Sequence, residues 1–144
     1  MKTMEENIIS PGILYTLGYA MPGAADELEQ VMQDALVLLI DIRERAQSRW
    51  WPMWNKKQLR EKWGSRYTHE KKLGNVNRRD RSLLIVLRGP HPEQAIAGMV
   101  ALLCHGYSLV LLCACKDYET CHRKVVAEMI QQAMEENNHA ATNA

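Results

Sequence analysis

The run Val110 to Arg123, VLLCACKDYETCHR, places three of the chain's four cysteines (Cys113, Cys115, Cys121) beside His122 and Arg123. Thiols, an imidazole and a guanidinium at this spacing offer three chemistries. The first is anion binding. A helix opening at Thr120, with the threonine as its cap, presents unpaired N–H groups and a partial positive charge, to which His122 and Arg123 add donors. A phosphate or carboxylate is stabilised there, and Arg123 can grip it bidentately. The competing reading pairs Arg123 with Asp41 or Glu119 and makes it a tie between helix and sheet. The second chemistry is nucleophilic or redox catalysis by Cys121 or Cys115. At a helix start beside His122 and Arg123 the Cys121 thiolate is favoured, with a pKa expected below the reference of about 8.5; the alternative is a structural or hydrogen-bonding thiol. The Cys-x5-Arg spacing of phosphatase cradles is absent, since Arg123 follows Cys115 by eight positions and Cys121 by two. The third, zinc, is the weakest: adjacent Cys121 and His122 on one helix point in different directions, and no CxxC pair exists. Neither metal nor cofactor is therefore expected.

Further reactive groups lie upstream. Asp41 and Arg43 are two residues apart at the end of an apolar run, so on a strand they project together, either as an ion pair or as a joint ligand contact. Asp41 suits a general base, a ribose-hydroxyl acceptor or a metal ligand, and a buried ion pair with Arg43 or Arg123 is the competing assignment. Tyr19 and Tyr67 can stack on a base, donate to an oxyanion or simply line the edge of a core. The stretch Arg49 to Trp63, RWWPMWNKKQLREKW, holds all four tryptophans interleaved with cations. Arg49, Lys56 and Lys57 suit phosphates, and Trp50, Trp51 and Trp54 suit stacked bases, a composition fit for single-stranded or distorted nucleic acid. The same tryptophans could instead cover a sheet.

Elements must bring these groups together. Ile13–Leu17 reads as a strand ended by Gly18, Pro22–Asp34 as a helix, and Leu36–Ile42 as a strand covered on both faces. Asn55–Trp63 predicts a helix stopped by Gly64, and Ser65–Ser82 a long surface segment. Leu83–Leu87 predicts a strand, His91–His105 a helix with Pro92 in its first turn and Cys104 packed in the core, and Leu109–Cys113 a buried strand before a last helix. Alternation of this kind implies an α/β three-layer sandwich with a mostly parallel, Rossmann/flavodoxin-like sheet, whose ligands bind outside the strand carboxyl ends. Gly18, Tyr19, Asp41, Arg43 and the segment Cys113 to Arg123 meet there.

At 144 residues, one domain is expected, with 1–12 as an arm and 135–144 as a frayed polar tail. Apolar residues at 47% and charged residues at 24% are those of an ordinary globular chain. No apolar stretch reaches spanning length and MKTMEENIISPG has no signal-like core, so neither membrane insertion nor classical export is expected. The clustered cysteines point to a reducing, cytoplasmic compartment. Charge is segregated: Arg43 to Arg88 carries 14 Lys/Arg against Glu44, Glu61, Glu70 and Asp80, while the remainder carries four against 13. A basic middle concentrates polyanions at one surface.

TLGY at Thr16–Tyr19, DIR at Asp41–Arg43 followed by Ser48, the Tyr67 region, LG at Leu73–Gly74, and LLCAC with CHR at Cys121–Arg123 together resemble the uncharacterised DUF488 family. The resemblance implies an α/β fold and a shared site, without an established reaction. Two positions depart from the family pattern: Ala46 stands where a proline is usual, and Cys115 where an acidic residue is common, so a catalytic role of that carboxylate would be missing here. Together the residues lead to an enzyme acting on a phosphate-bearing nucleotide or nucleic acid. In that reading Arg43, Thr120 and Arg123 hold phosphate, Asp41, Cys121 and His122 stand near the reacting group, and Gly18, Tyr19, Ser48, Tyr67, Cys113 and Cys115 shape the pocket. A non-catalytic binding module, or an enzyme on a small anionic metabolite, is the alternative.

Overall fold

The computed structural model describes residues 10–78, 85 and 87–143. Within them, β1 (Leu14–Gly18) is followed by α1 (Ala24–Val31), β2 (Val37–Asp41), α2 (Lys56–Trp63), β3 (Tyr67–His69), α3 (Pro92–Cys104), β4 (Ser108–Cys113) and α4 (His122–Asn143). The four strands form one sheet in the order β1-β4-β2-β3, and every pairing is parallel. The last strand of the chain thus fills the centre, as its unbroken apolar sequence SLVLLC requires of a strand covered on both faces.

Period-two alternation divides the core into two layers. Ile40, Ile42, Leu109 and Leu111 pack against Ile96, Met99 and Leu103 of α3 and Val126 and Ile130 of α4. Val37, Leu39, Val110 and Leu112 pack on the other face against Leu28 of α1, Leu59 of α2, Trp54 and Tyr67. The result is the flavodoxin-like α/β three-layer sandwich, with the strand carboxyl ends along one edge.

β3 occupies part of the expected surface segment 65–82. Three residues are too few to show alternation, yet Tyr67 and the neighbouring Leu73 are both buried. The strand expected at Leu83–Leu87 lies largely outside the described residues; Leu87 makes an isolated antiparallel bridge to Asn75. Cys104 is half-buried, its sulfur against that of Met134. α4 continues to Asn143 over the residues expected as a tail. Among the described residues no helix is long and apolar enough to cross a membrane.

Candidate functional site

The parallel register aligns Gly18 with Cys113, and Asp41 with Leu112 on one side and His69 on the other, so three strand ends and the loops after them share an edge. The pleat then separates the polar groups into two clusters.

The first cluster lies on the α1/α2 face. Asp41, fully buried, accepts from Arg43 Nε at 2.8 Å, Arg43 NH2 at 2.6 Å, the Arg43 backbone N–H at 3.2 Å and the Tyr67 hydroxyl at 2.6 Å. Arg43 NH2 also donates to the Trp54 carbonyl at 2.6 Å, and its guanidinium lies 5.3 Å from the Tyr19 ring centroid. Tyr19 in turn stacks on Trp54, at 5.3 Å and 13°, and meets Trp51 edge-on at 6.1 Å. Burial lowers the Arg43 pKa, but the hydrogen bonds and charge of Asp41 outweigh it and the net shift is upward. Burial, then the charge of Asp41, pushes the Tyr67 hydroxyl well above the ordinary tyrosine range.

The ion-pair alternative for Asp41 and Arg43 is the one realised, which corrects two expectations. Arg43 does not hold an external phosphate, because its donors turn inward and only buried NH1 is left without a partner. Asp41 has no exposed oxygen for a substrate proton. Trp54 is corrected as well: it is buried and one face is covered by Tyr19, so no base can stack there.

The second cluster lies on the α3/α4 face. Cys113 Sγ is 3.5 Å from His122 Nδ1 and 3.8 Å from Cys115 Sγ, and Cys121 Sγ is 4.0 Å from the same Nδ1. His122 Nε2 bonds the Ile42 carbonyl at 2.7 Å. Cys121 precedes α4 in extended conformation (φ −96°, ψ 146°), so it does not share a helix with His122 and the two side chains converge. Divergence of these two residues, the geometric ground for ranking zinc last, is thereby removed. Thr120 is not the helix cap; it is exposed at the end of a 3-10 turn, its hydroxyl directed at the Asp117 carbonyl, one residue too early. The expected activation of Cys121 is also corrected. Neighbouring thiols Cys113 and Cys115, then burial, drive its pKa upward rather than down, and Cys113 is pushed up to about 12 chiefly by Cys115.

Arg123 ties the loop of the second cluster to β1. Its NH1 donates to Thr16 Oγ1 at 3.2 Å, its NH2 to the carbonyls of Cys115 and Lys116 at 3.3 Å, and the guanidinium lies over Tyr118. Neither Asp41 nor Glu119 pairs with it among the described residues, and the expected bidentate grip on a ligand is closed off because it is buried against loop carbonyls. Gly18 is required beneath it: a Cβ there would overlap the Cys115 carbonyl and reach Arg123 NH2.

Open space lies on the basic flank instead. A cleft of about 770 Å³ is lined by Arg45, Lys56, Lys57, Arg60 and Lys71, with His69 at its wall and Glu44 and Glu61 as its acids. Glu44 is already engaged by Arg88 at 2.9 Å and Arg78 at 3.6 Å. An adjoining hollow of about 410 Å³ shares Arg45 and adds Ser48, Arg49 and Arg78. Ser48 shapes the turn between them: its hydroxyl accepts from Trp51 N–H at 3.1 Å and its own N–H donates to Asn55 Oδ1 at 2.5 Å. That turn displays Trp50, 74% exposed and beneath the Arg49 guanidinium, and Trp51, 50% exposed. Of the expected nucleic-acid contacts, Arg49, Trp50, Trp51, Lys56 and Lys57 thus line or border open space. Arg45, Arg60, Lys71 and His69 were not expected; the i, i+4 spacing of Lys56 and Arg60 on α2 is the signal that finds one of them, whereas His69 depends on the unforeseen β3.

A parallel α/β sheet with its polar groups gathered at the strand carboxyl ends defines a flavodoxin-like protein. Within that class, the family profile described as DUF488-N3a, Active DUF488-N3 subclade, matches residues 38–134, and the chain belongs to the DUF488 family. No curated protein and no solved structure matches it.

Proposed function

We infer that the protein binds a phosphate-bearing nucleic acid or nucleotide in the basic cleft beside β2 and β3. The observation that carries this reading is the cleft itself: five cations face one groove, Glu44 is neutralised by Arg78 and Arg88, and the turn that lines the adjoining hollow through Ser48 and Arg49 carries two exposed tryptophans, Trp50 and Trp51. Cations along a groove neutralise successive phosphates while open aromatic faces accept bases. The buried Asp41–Arg43–Tyr67 cluster is then the anchor that fixes the cleft wall, since the Arg43 carbonyl receives His69 Nε2 at 2.7 Å.

Membership of a subclade described as active favours a reaction, which the second reading puts in the same cleft. His69 is the imidazole that lines it, and hydrogen bonding at Nε2 leaves Nδ1 for proton transfer. Charge reversal separates binding from chemistry. Lys57→Glu with Arg60→Glu should abolish binding of a single-stranded oligonucleotide at moderate salt, whereas His69→Ala should retain binding and lose turnover on nucleotide or oligonucleotide substrates. Undiminished affinity in the double reversal contradicts the cleft assignment.

A further inference from the structure

We propose that Cys113, Cys115, Cys121 and His122 form a tetrahedral zinc site that clamps the end of β4 to the start of α4. Cys113, Cys121 and His122 are buried and their ligand atoms lie within 4.8 Å of one another, and half-buried Cys115 joins them through its contact with Cys113. Two of the spacings are already those of a coordination shell. Zinc bonds of about 2.3 Å to sulfur and about 2.0 Å to nitrogen at tetrahedral angles place two sulfurs about 3.8 Å apart and a sulfur and a nitrogen about 3.5 Å apart. Cys113 and Cys115 sulfurs stand 3.8 Å apart, and Cys113 Sγ stands 3.5 Å from His122 Nδ1. The Cys121 contact of 4.0 Å closes with a shift of a few tenths of an ångström.

The second shell agrees. With its proton on Nε2, His122 donates to the Ile42 carbonyl at 2.7 Å and turns the Nδ1 lone pair toward the sulfurs, the orientation that ligating histidines adopt. Three thiolates and a neutral imidazole around Zn²⁺ carry one net negative charge. Arg123, buried, lacking a carboxylate partner among the described residues and donating to the Cys115 carbonyl, supplies the compensating cation. Tetrahedral coordination by three thiolates and one imidazole selects zinc over the oxygen-seeking divalent ions. Binding replaces three S–H bonds by three Zn–S bonds and releases three protons to solvent, with no change of oxidation state.

The full chain, purified under reducing conditions, is expected to contain about one equivalent of zinc. After metal removal, cobalt titration should give the strong visible bands of tetrahedral cobalt and near-ultraviolet thiolate charge transfer, with proton release. Cys121→Ser should lose the metal or weaken its charge-transfer band, while Cys104→Ser, outside the cluster, should keep both. Wild-type spectra stand on their own if Cys121→Ser fails to fold. Absence of zinc together with a pale octahedral cobalt spectrum, or iron in its place, would overturn the proposal. Nucleic-acid affinity is a separate readout, so failure of either assignment leaves the other measurable.

Discussion

Asp41 and Arg43 show what burial does to a charge pair. Both are sealed from solvent, so each is tolerable only because the other, with Tyr67, satisfies it. Removing one partner leaves an uncompensated buried charge. Asp41→Asn should therefore cost about 3 kcal/mol of stability in denaturant unfolding. Tyr67→Phe, which deletes one hydrogen bond to a charged acceptor, should cost about 2 kcal/mol. pH distinguishes Tyr67 from a bland packing residue. Its pKa is raised in the folded chain above the ordinary 10.0, so the folded state keeps a proton that the unfolded state loses. The resulting stability is whole below pH 10 and declines as pH rises above it, and thermal melts across that window should fall more steeply for wild type than for Tyr67→Phe. An equal slope would show that the hydroxyl is not shifted. The exposed indoles test the proposed binding instead: Trp50→Ala and Trp51→Ala should each weaken oligonucleotide binding by about 1–3 kcal/mol, the loss expected for a stacked base, and Trp50→Ala should leave the fold unchanged.

At the scale of elements, what the sequence reveals depends on length and period. β2 and β4 are long apolar runs, α3 has a proline in its first turn and a glycine after its end, and Gly64 at φ 60° stops α2 as its position predicts. β3 escapes because three residues carry no periodicity, and with it His69 and the edge of the cleft. The start of α4 is two residues later than Thr120 because a 3-10 turn, held by Asp117 accepting from Glu119 N–H, intervenes. That small displacement reverses the geometry of Cys121 and His122 and turns an expected anion site into a packed thiol cluster. Strand period suggests the pairing of Asp41 with Arg43, but β2 ends at Asp41 and the Arg43 N–H turns back onto its carboxylate, while Trp54 and Tyr19 closing over the pair decide between ion pair and ligand contact. Gly18 is the element-level position most exposed to test. Ala at this site meets the Cys115 backbone rather than a flexible side chain, so Gly18→Ala should destabilise by about 2 kcal/mol, read from denaturant midpoints.

For the whole molecule, charge segregation along the chain becomes segregation in space. Cations of the middle segment come from the loop after β2, from α2 and from the turn after β3, and they converge on one groove while the net charge stays at +1. Overall charge therefore gives no hint of polyanion binding, but the field at the cleft does. Anisotropy of a labelled single-stranded oligonucleotide, titrated with wild type and with the Lys57→Glu, Arg60→Glu variant over a salt series, tests this most directly. The account predicts that log affinity of the wild type falls linearly with log salt and that the variant loses both affinity and slope. Binding that is absent at low salt, or equal in the two proteins, would contradict it.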